Sequence, residues 1–326
     1  MLRRAAINFT EVDLSEFIGQ ESGSSRALLH TVAKLYYLSN IPQNEIARQL
    51  DLSTATISRL LKRAREEGIV RIEVRDLVGP DDLARDLERA LGLKRAVVAE
   101  VPEVNAVPSL AGAVSGCLAD AGLKPGSVIA IGWGRAVRDI IQGGLQKLPG
   151  VITVPANGGM QETADHFQIN EFVRLAAEQM GGTPRFLHAP YLPSSALREA
   201  FLSDPSIRET IALWERADAA LVGIGLPHLS PTPGQLGVTA DERQLTNAAG
   251  DVIRHYFDIH GQLVSWSGAD RLIALSVEQL RKIPTVIGVA VSTAKAAAIV
   301  GASRSRLINT LVTDVRTAQA VLDICS

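Results

Sequence analysis

Gln43 to Val74 reads QNEIARQLDLSTATISRLLKRAREEGIVRIEV, two short amphipathic helices joined by a tight turn. In the first, Ile46, Ala47 and Leu50 form one apolar face. In the second, Ile57, Leu60, Leu61 and Ala64 recur at i, i+3, i+4 and i+7, the stripe that packs a helix onto a small core. Asp51-Leu52-Ser53 separates them, and Ser53 is a good N-cap because its hydroxyl can accept a first-turn N–H. With Ile57 and Leu60 turned inward, Thr54, Ala55, Ser58, Arg59 and Lys62 project outward. Short polar side chains near a helix N-terminus with cations further along suit a helix end entering a DNA major groove. The same pattern occurs in helical bundles, so charge must decide. Between Arg48 and Arg65 five Arg/Lys face the single acid Asp51, inside a chain of net charge −2. That local surplus is the footprint phosphate contacts require. Thr54, Ser58 and Arg59 are the candidates for reading bases, and Arg48, Lys62 and Arg63 for holding phosphates.

Outward from this stretch, Arg26–Leu38 fits a preceding helix with Leu28, Leu29, Val32, Leu35 and Tyr36 as its core face. Residues 1–25 lack periodicity and end in a Gly/Ser cluster, the pattern of a loose arm. Gly68 closes the second helix of the pair, and Ile69–Val74 alternates apolar and charged residues as a half-exposed strand or wing would. Gly79-Pro80 breaks the chain and divides a DNA-binding domain over 26–78 from a larger domain over 79–326.

In the larger domain apolar runs alternate with helical patterns. Strands are expected at Ala96–Val101, Ser127–Ile131, Val151–Val154, Ala219–Ile224, Leu272–Leu275, Thr285–Val291 and Ile308–Val312. Helices fit Asp81–Leu91, Leu110–Ala121, Arg135–Leu148, Ser292–Val300 and Asp314–Ile324. This is the pattern of a mostly parallel, Rossmann-like α/β sheet covered on both faces. The 326 residues suffice for both domains, and no apolar run approaches a membrane span or a signal-peptide core, so a cytoplasmic protein is expected. Two cysteines and six scattered histidines show no ligand spacing, so no metal and no cofactor are expected.

In sheets of this kind ligands bind beyond strand C-termini. Three glycine turns follow strands here: Gly132-Trp133-Gly134-Arg135, Asn157-Gly158-Gly159 and Gly223-Ile224-Gly225. Glycine lets the backbone approach a ligand, and the helix N-terminus after Gly134 offers N–H groups to an anion. Lys295, expected in the first turn of a helix, opposes the helix dipole and invites a compensating anion. The plainer alternative is a lysine snorkelling to solvent. Asp258 reads either as a turn-capping aspartate or as an acceptor of sugar hydroxyls.

Taken in order, EIARQLDLSTATISRLLKRAREEGIVRIEV, VIAIGWGRAV, NGG, LSDPSIRETIALWERADAALVGIG, YFDIHG, IPTVIGVAVSTAKAAAIVGA and LVTD make the whole chain resemble a SorC-type (sugar-binding) bacterial transcriptional regulator. The resemblance implies an effector domain related to sugar-phosphate isomerase and CoA-transferase folds. It also implies a homotetramer (a dimer of dimers), double-stranded operator DNA as partner and nucleoid association when DNA-bound. The implied control is of a carbohydrate-utilisation operon by a phosphorylated sugar. The Gly132–Arg135 loop and Lys295 fall where the family holds the effector phosphate. Asn157, Gly158, Gln168 and Asp258 fall near positions that hold its hydroxyls. One departure matters: family loops often place Ser or Thr where this chain has Ala136. Losing one donor to a charged oxygen costs about 1.5–3 kcal/mol, which keeps an unphosphorylated sugar or polyol as the rival effector. His188-Ala-Pro-Tyr-Leu-Pro193 also brings bulky residues to the pocket. Catalysis is not expected, because no paired carboxylates or positioned general base stand at the strand ends.

Overall fold

A computed structural model describes residues 23–70, 79–102, 104, 106–160, 168–227 and 239–326. The chain divides into two compact units, Met1–Leu77 and Val78–Ser326.

The first unit holds α1 (Gly23–Tyr37), α2 (Gln43–Gln49) and α3 (Thr54–Glu66). Helix α1 begins three residues before the expected Arg26, so the arm's last residues are helical; residues 1–22 lie outside the described part. Val32, Ile46, Ala47, Ile57 and Leu61 close one core cluster, and Leu29, Ala33 and Ala64 a second. Ser53 caps α3 by accepting the Thr56 N–H at 3.0 Å. Asp51 takes the left-handed conformation (φ +51°) in the turn, as a short polar residue can. Of the expected wing, residues 71–74 lie outside the described residues; Ile69 and Val70 pack against the second cluster.

The second unit contains α4 (Pro80–Leu91), β1 (Arg95–Ala99), α5 (Ala111–Asp120), β2 (Val128–Ile131), α6 (Arg135–Gly143), β3 (Ile152–Pro155), α7 (Ile169–Met180) and β4 (Thr183–Pro184). There follow α8 (Ser195–Ser203), α9 (Pro205–Ala212), β5 (Ala217–Gly223), β6 (Gly250–Val252), β7 (His255–Phe257), α10 (Val277–Lys282), β8 (Thr285–Val289), α11 (Ala296–Arg304), β9 (Thr310–Asp314) and α12 (Val315–Cys325). Seven strands form a sheet in the order β1-β9-β8-β5-β2-β3-β4, every pair parallel. Alternate residues face opposite layers. Along β2, Val128 and Ala130 join the core built on α4, α10, α11 and α12, while Ile129 and Ile131 join that of α5, α6 and α7.

The connections run from β2 to β3 and β4 on one side, and from β5 to β8 and β9 on the other. The order therefore reverses between β2 and β5. In open parallel sheets such a reversal is where ligands ordinarily bind, in a crevice beyond the strand C-termini.

Three sequence expectations are corrected. Leu272–Leu275 is no strand of the sheet: Ala274 makes one isolated antiparallel bridge to Asn157, so the apolar run is buried without joining the sheet. The helix expected over Arg135–Leu148 stops at Gly143, because Gly144 takes φ +95°. Thr293–Lys295 form a 3-10 turn, and the helix proper starts at Ala296. The antiparallel pair β6–β7 was not foreseen, because its turn has no glycine.

Candidate functional site

In the first unit, α3 buries Ile57, Leu61 and Ala64, and this turns Thr54, Ala55, Ser58, Arg59, Lys62 and Arg63 outward, all exposed. Arg48 is exposed at the end of α2. The hydroxyl of Ser53 is occupied by its cap, bonding Thr56 N and Thr56 Oγ1. Two of the expected phosphate holders have acidic partners one turn on: Lys62 lies 3.7 Å from Glu66, and Arg63 lies 2.6 Å from Glu67. The cationic surplus counted over 48–65 is thus smaller across the whole helix. Exposed pairs of this kind are worth about 0–1 kcal/mol, so a phosphate can displace the carboxylates.

In the second unit, the three glycine loops follow β2, β3 and β5, adjacent strands at the reversal of strand order. The Gly132 N–H donates to Leu221 O at 2.8 Å, and Gly134 takes φ +111° ahead of α6. A side chain on Gly132 would crowd Ile253, Leu221 and Val222. Trp133 is buried, and Arg135 is exposed at the first position of α6. A β-carbon on Gly158 would lie 2.6 Å from the carbonyl oxygens of Ala189 and Pro190. Gly158→Ala should therefore lower stability by about 1–3 kcal/mol, read as a lower calorimetric Tm; an unchanged Tm would show that the loop can yield.

Asn157 is 2% exposed. Its Nδ2 donates to Gly158 O at 3.0 Å, while its Oδ1 has no hydrogen-bond partner among the described residues. Flipping the amide would set two oxygens face to face, so the unsatisfied group is the acceptor. A buried acceptor without a donor costs about 1–3 kcal/mol, a cost that a hydroxyl-bearing ligand would remove.

Lys295 does not snorkel. Its Nζ turns inward and donates to Ile224 O, just past β5, at 2.8 Å. Burial, then nearby Arg135, push its pKa below the ordinary lysine value, with Asp251 opposing. Lys295, Arg135, the Gly132–Gly134 backbone and Asp251 thus form one electrostatic group at the crevice.

Two expected residues stand apart. Asp258 Oδ1 accepts the His260 and Gln262 N–H groups, each at 2.9 Å, closing a turn. Its backbone carbonyl abuts Gly301, six residues and about 9 Å along the helix from Lys295. The turn-capping reading of Asp258 therefore describes its geometry. Gln168 is the exposed N-cap residue of α7.

The structure adds residues that sequence reading missed. Asp251 is 7% exposed, its carboxylate lies against Gly225, and its Oδ2 accepts the Arg254 N–H at 3.0 Å. Arg254 stacks against Trp133 and Tyr191. Tyr191 belongs to the bulky 188–193 segment, which docks through Tyr191 N to Gly159 O at 2.9 Å. An arginine inside the short apolar alternation Val252–Phe257 was the available signal. Among the described residues no group of three or more His, Cys, Asp or Glu could hold a metal, and no helix is long and apolar enough to cross a membrane.

Comparison with known proteins places these features. A family model described as "Putative sugar-binding domain" matches residues 75–323, and one described as "Winged helix-turn-helix DNA-binding" matches residues 39–71. The chain is 32% identical to the sorbitol operon regulator of Klebsiella pneumoniae, over 93% of this chain and 99% of that protein. It is 31% identical to the deoxyribonucleoside regulator of Bacillus subtilis, over 89% and 96%. The crystal structure of the full-length K. pneumoniae regulator superposes with a TM-score of 0.68 at 31% identity, covering 92% of this chain and all of that one.

Proposed function

Because this chain belongs to the SorC family of sugar-binding transcriptional regulators, we propose that it controls a carbohydrate-utilisation operon by binding operator DNA with an affinity set by a sugar phosphate in the β2/β5 crevice. It is a regulator and not an enzyme, in keeping with the regulators it resembles along nearly its whole length. Thr54, Ala55, Ser58 and Arg59 read the major groove, and Arg48, Lys62 and Arg63 hold phosphates on either side; Ser53 serves by fixing the N-terminus of α3. The Gly132–Arg135 loop and Lys295 take the effector's phosphate, and Asn157 and Gly158 take its hydroxyl-bearing part. Gln168 and Asp258 are given no part in holding the effector. Several copies of the chain, arranged as a tetramer, present their α3 helices at fixed spacing on the operator.

The effector reading is carried by Lys295, whose ammonium bonds the Ile224 carbonyl just past β5 and is partly withdrawn from solvent. A cation partly withdrawn from water in this way is favoured by an anion at its side. A second reading, an unphosphorylated sugar or polyol, is favoured by Ala136, which supplies no hydroxyl beside the loop, and by the unsatisfied Asn157 oxygen. A ligand shifts operator affinity only as far as it prefers one of the two states, so both must be measured.

A thermal-shift screen over free and phosphorylated pentoses, hexoses and polyols, with operator release by gel shift, tests the proposal. A true effector at one hundred times its Kd should stabilise the protein by about 2.7 kcal/mol and release or tighten the operator. Stabilisation by free polyols alone would overturn the phosphate part. No shift and no operator response from any member would overturn effector control.

A further inference from the structure

The β6–β7 hairpin turns through two consecutive left-handed residues, Ile253 at φ +43° and Arg254 at φ +69°. Two-residue turns with positive φ at both positions ordinarily carry Asn-Gly or Gly-Gly, which adopt that backbone at little cost. A β-branched residue followed by arginine is strained there. Strain of this kind persists only where surrounding contacts over-determine it, and here those contacts are specific.

Ile253 packs against the glycine loop, its Cγ2 3.2 Å from where a β-carbon on Gly132 would stand. Arg254 is 4% exposed, and its guanidinium carbon lies 5.5 Å from the Trp133 ring centre and 5.8 Å from that of Tyr191. Those two rings meet edge to face at 4.9 Å, so the planar cation fills the corner between them. On its other side Arg254 NH1 donates to Tyr256 OH at 3.1 Å and lies 3.1 Å from Glu242 Oε1. Tyr256 OH donates to the same Glu242 oxygen at 2.8 Å. Glu242 is 0% exposed. Burial works against the guanidinium charge, yet Tyr256, Asp251 and Glu242 more than offset it, and the group stays a cation.

Glycine would satisfy every backbone demand of position 254 and would bring no charge into the interior. The chain instead holds an arginine in a strained turn and pairs it with the buried Glu242, whose second oxygen accepts the Thr239 N–H at 2.7 Å. The group so secured touches Trp133, the residue between the two glycines of the anion loop. We infer that Arg254 is a positioning residue for the effector site: paired with Glu242 and Tyr256, it clamps Trp133 and so holds the Gly132–Arg135 loop in its anion-ready shape. Arg254 acts through Trp133, not by touching the effector. The inference rests on the reading of that loop as the phosphate-binding pole.

Removing one partner of a buried ion pair strands the other, so the main variant removes both charges: Glu242→Gln with Arg254→Gly. The glutamine retains one acceptor, for Tyr256 OH or for the Thr239 N–H, and the glycine relieves the turn. The full chain is used, in a background with Trp214→Phe and Trp266→Phe that leaves Trp133 as the reporting indole. The probes are inorganic phosphate and whichever sugar phosphates shift the parent protein. In the double-charge variant, Trp133 emission should move to longer wavelength and become open to acrylamide quenching. The effector concentration for half-maximal operator response should rise about 10- to 100-fold, the scale expected of a misplaced binding group. Operator affinity without effector should stay within about two-fold, since the DNA-binding residues are untouched.

Arg254→Lys, with Glu242 intact, keeps the charge but lacks the planar face. It should recover stability without recovering the Trp133 spectrum or the effector response. Full recovery by lysine would make the residue a structural counter-ion and overturn the clamp. Wild-type emission or wild-type effector response in the double-charge variant would overturn it as well. If the parent protein answers no phosphate compound, the reading of the loop falls and the clamp with it. A responsive parent with an equally responsive variant sinks the clamp alone.

Discussion

Lys295→Ala should abolish the effector response while leaving operator binding at its effector-free level. The ammonium of the partly buried Lys295 meets the end of β5, and its present partner is a backbone carbonyl at 2.8 Å. A phosphate entering beside the Gly132–Arg135 loop exchanges that neutral acceptor for a charged one. Deleting a hydrogen bond to a charged group costs about 1.5–3 kcal/mol, or about 10- to 150-fold in affinity. The variant also loses an electrostatic field that screening by water does little to weaken in a buried site. Fold and assembly should survive, because removing a partly buried cation relieves desolvation and leaves one strand-end carbonyl to find another donor.

The pH dependence gives this prediction a sign. Burial and Arg135 hold the Lys295 pKa below the ordinary lysine value, so the folded state sheds its proton more readily than the unfolded state. Between the folded and unfolded pKa values the unfolded chain binds more protons, and the contribution of this group to stability rises with pH. Below the folded pKa the group is charged in both states and its burial is a standing penalty. Anion binding reverses the preference, because the phosphate favours the ammonium. Effector affinity should therefore fall as pH rises past the depressed pKa of the free protein, sooner than an exposed lysine would allow. Calorimetric titration across neutral to alkaline pH should show this fall in the parent and a flatter profile in Lys295→Ala. An unchanged effector response in the variant would remove Lys295 from the site.

Arg59→Ala should abolish specific operator recognition without altering fold or assembly. Arg59 is exposed on α3, opposite the buried Ile57, Leu61 and Ala64, and bonds Ala55 O at a long 3.4 Å. It is the one long side chain among the candidate base readers, since Thr54, Ala55 and Ser58 are short. A good bidentate contact discriminates by about 1–3 kcal/mol per site. With two half-sites engaged the loss is about 2–6 kcal/mol, enough to bring specific binding close to non-specific binding. Lys62→Ala gives the contrast: it should weaken all DNA about equally and lower the salt slope by about one. Gel shifts on operator and scrambled duplexes at two salt concentrations separate these outcomes. Retained operator preference in Arg59→Ala would move base reading elsewhere on the chain.

The elements legible in the sequence are those whose cause is local. The helix pair around Ser53 shows because Ile46, Ile57 and Leu61 repeat at helical spacing and pack on a core made by neighbours in the chain. Strands β2, β5, β8 and β9 show because both sheet faces are covered and their apolar runs are unbroken. Leu272–Leu275 misled for the same reason: an apolar run reports burial and not hydrogen-bond partners, and here Ala274 pairs only once. The β6–β7 hairpin was hidden because Ile253-Arg254 replaces the glycine that usually marks such a turn. Helix α8 buries none of its residues, so it has no periodic apolar face to recognise.

The sequence by itself marked the DNA-binding unit, by its cationic helix face, and the ligand-binding sheet of the second unit, by glycine turns at strand ends. Those are properties of short segments, set by side-chain period, capping and backbone freedom. Only the tertiary structure decided which residues meet. The sheet order set β2 beside β5, which brought Gly132, Ile224 and Lys295 to one crevice. Packing turned Lys295 inward, left the Asn157 oxygen without a donor, and withdrew Asp258 into a turn of its own. The Glu242–Tyr256–Arg254 cluster against Trp133 joins residues more than a hundred positions apart. No local pattern encodes such a pairing, because its energy comes from burying charge together in a place that exists only after the sheet has formed.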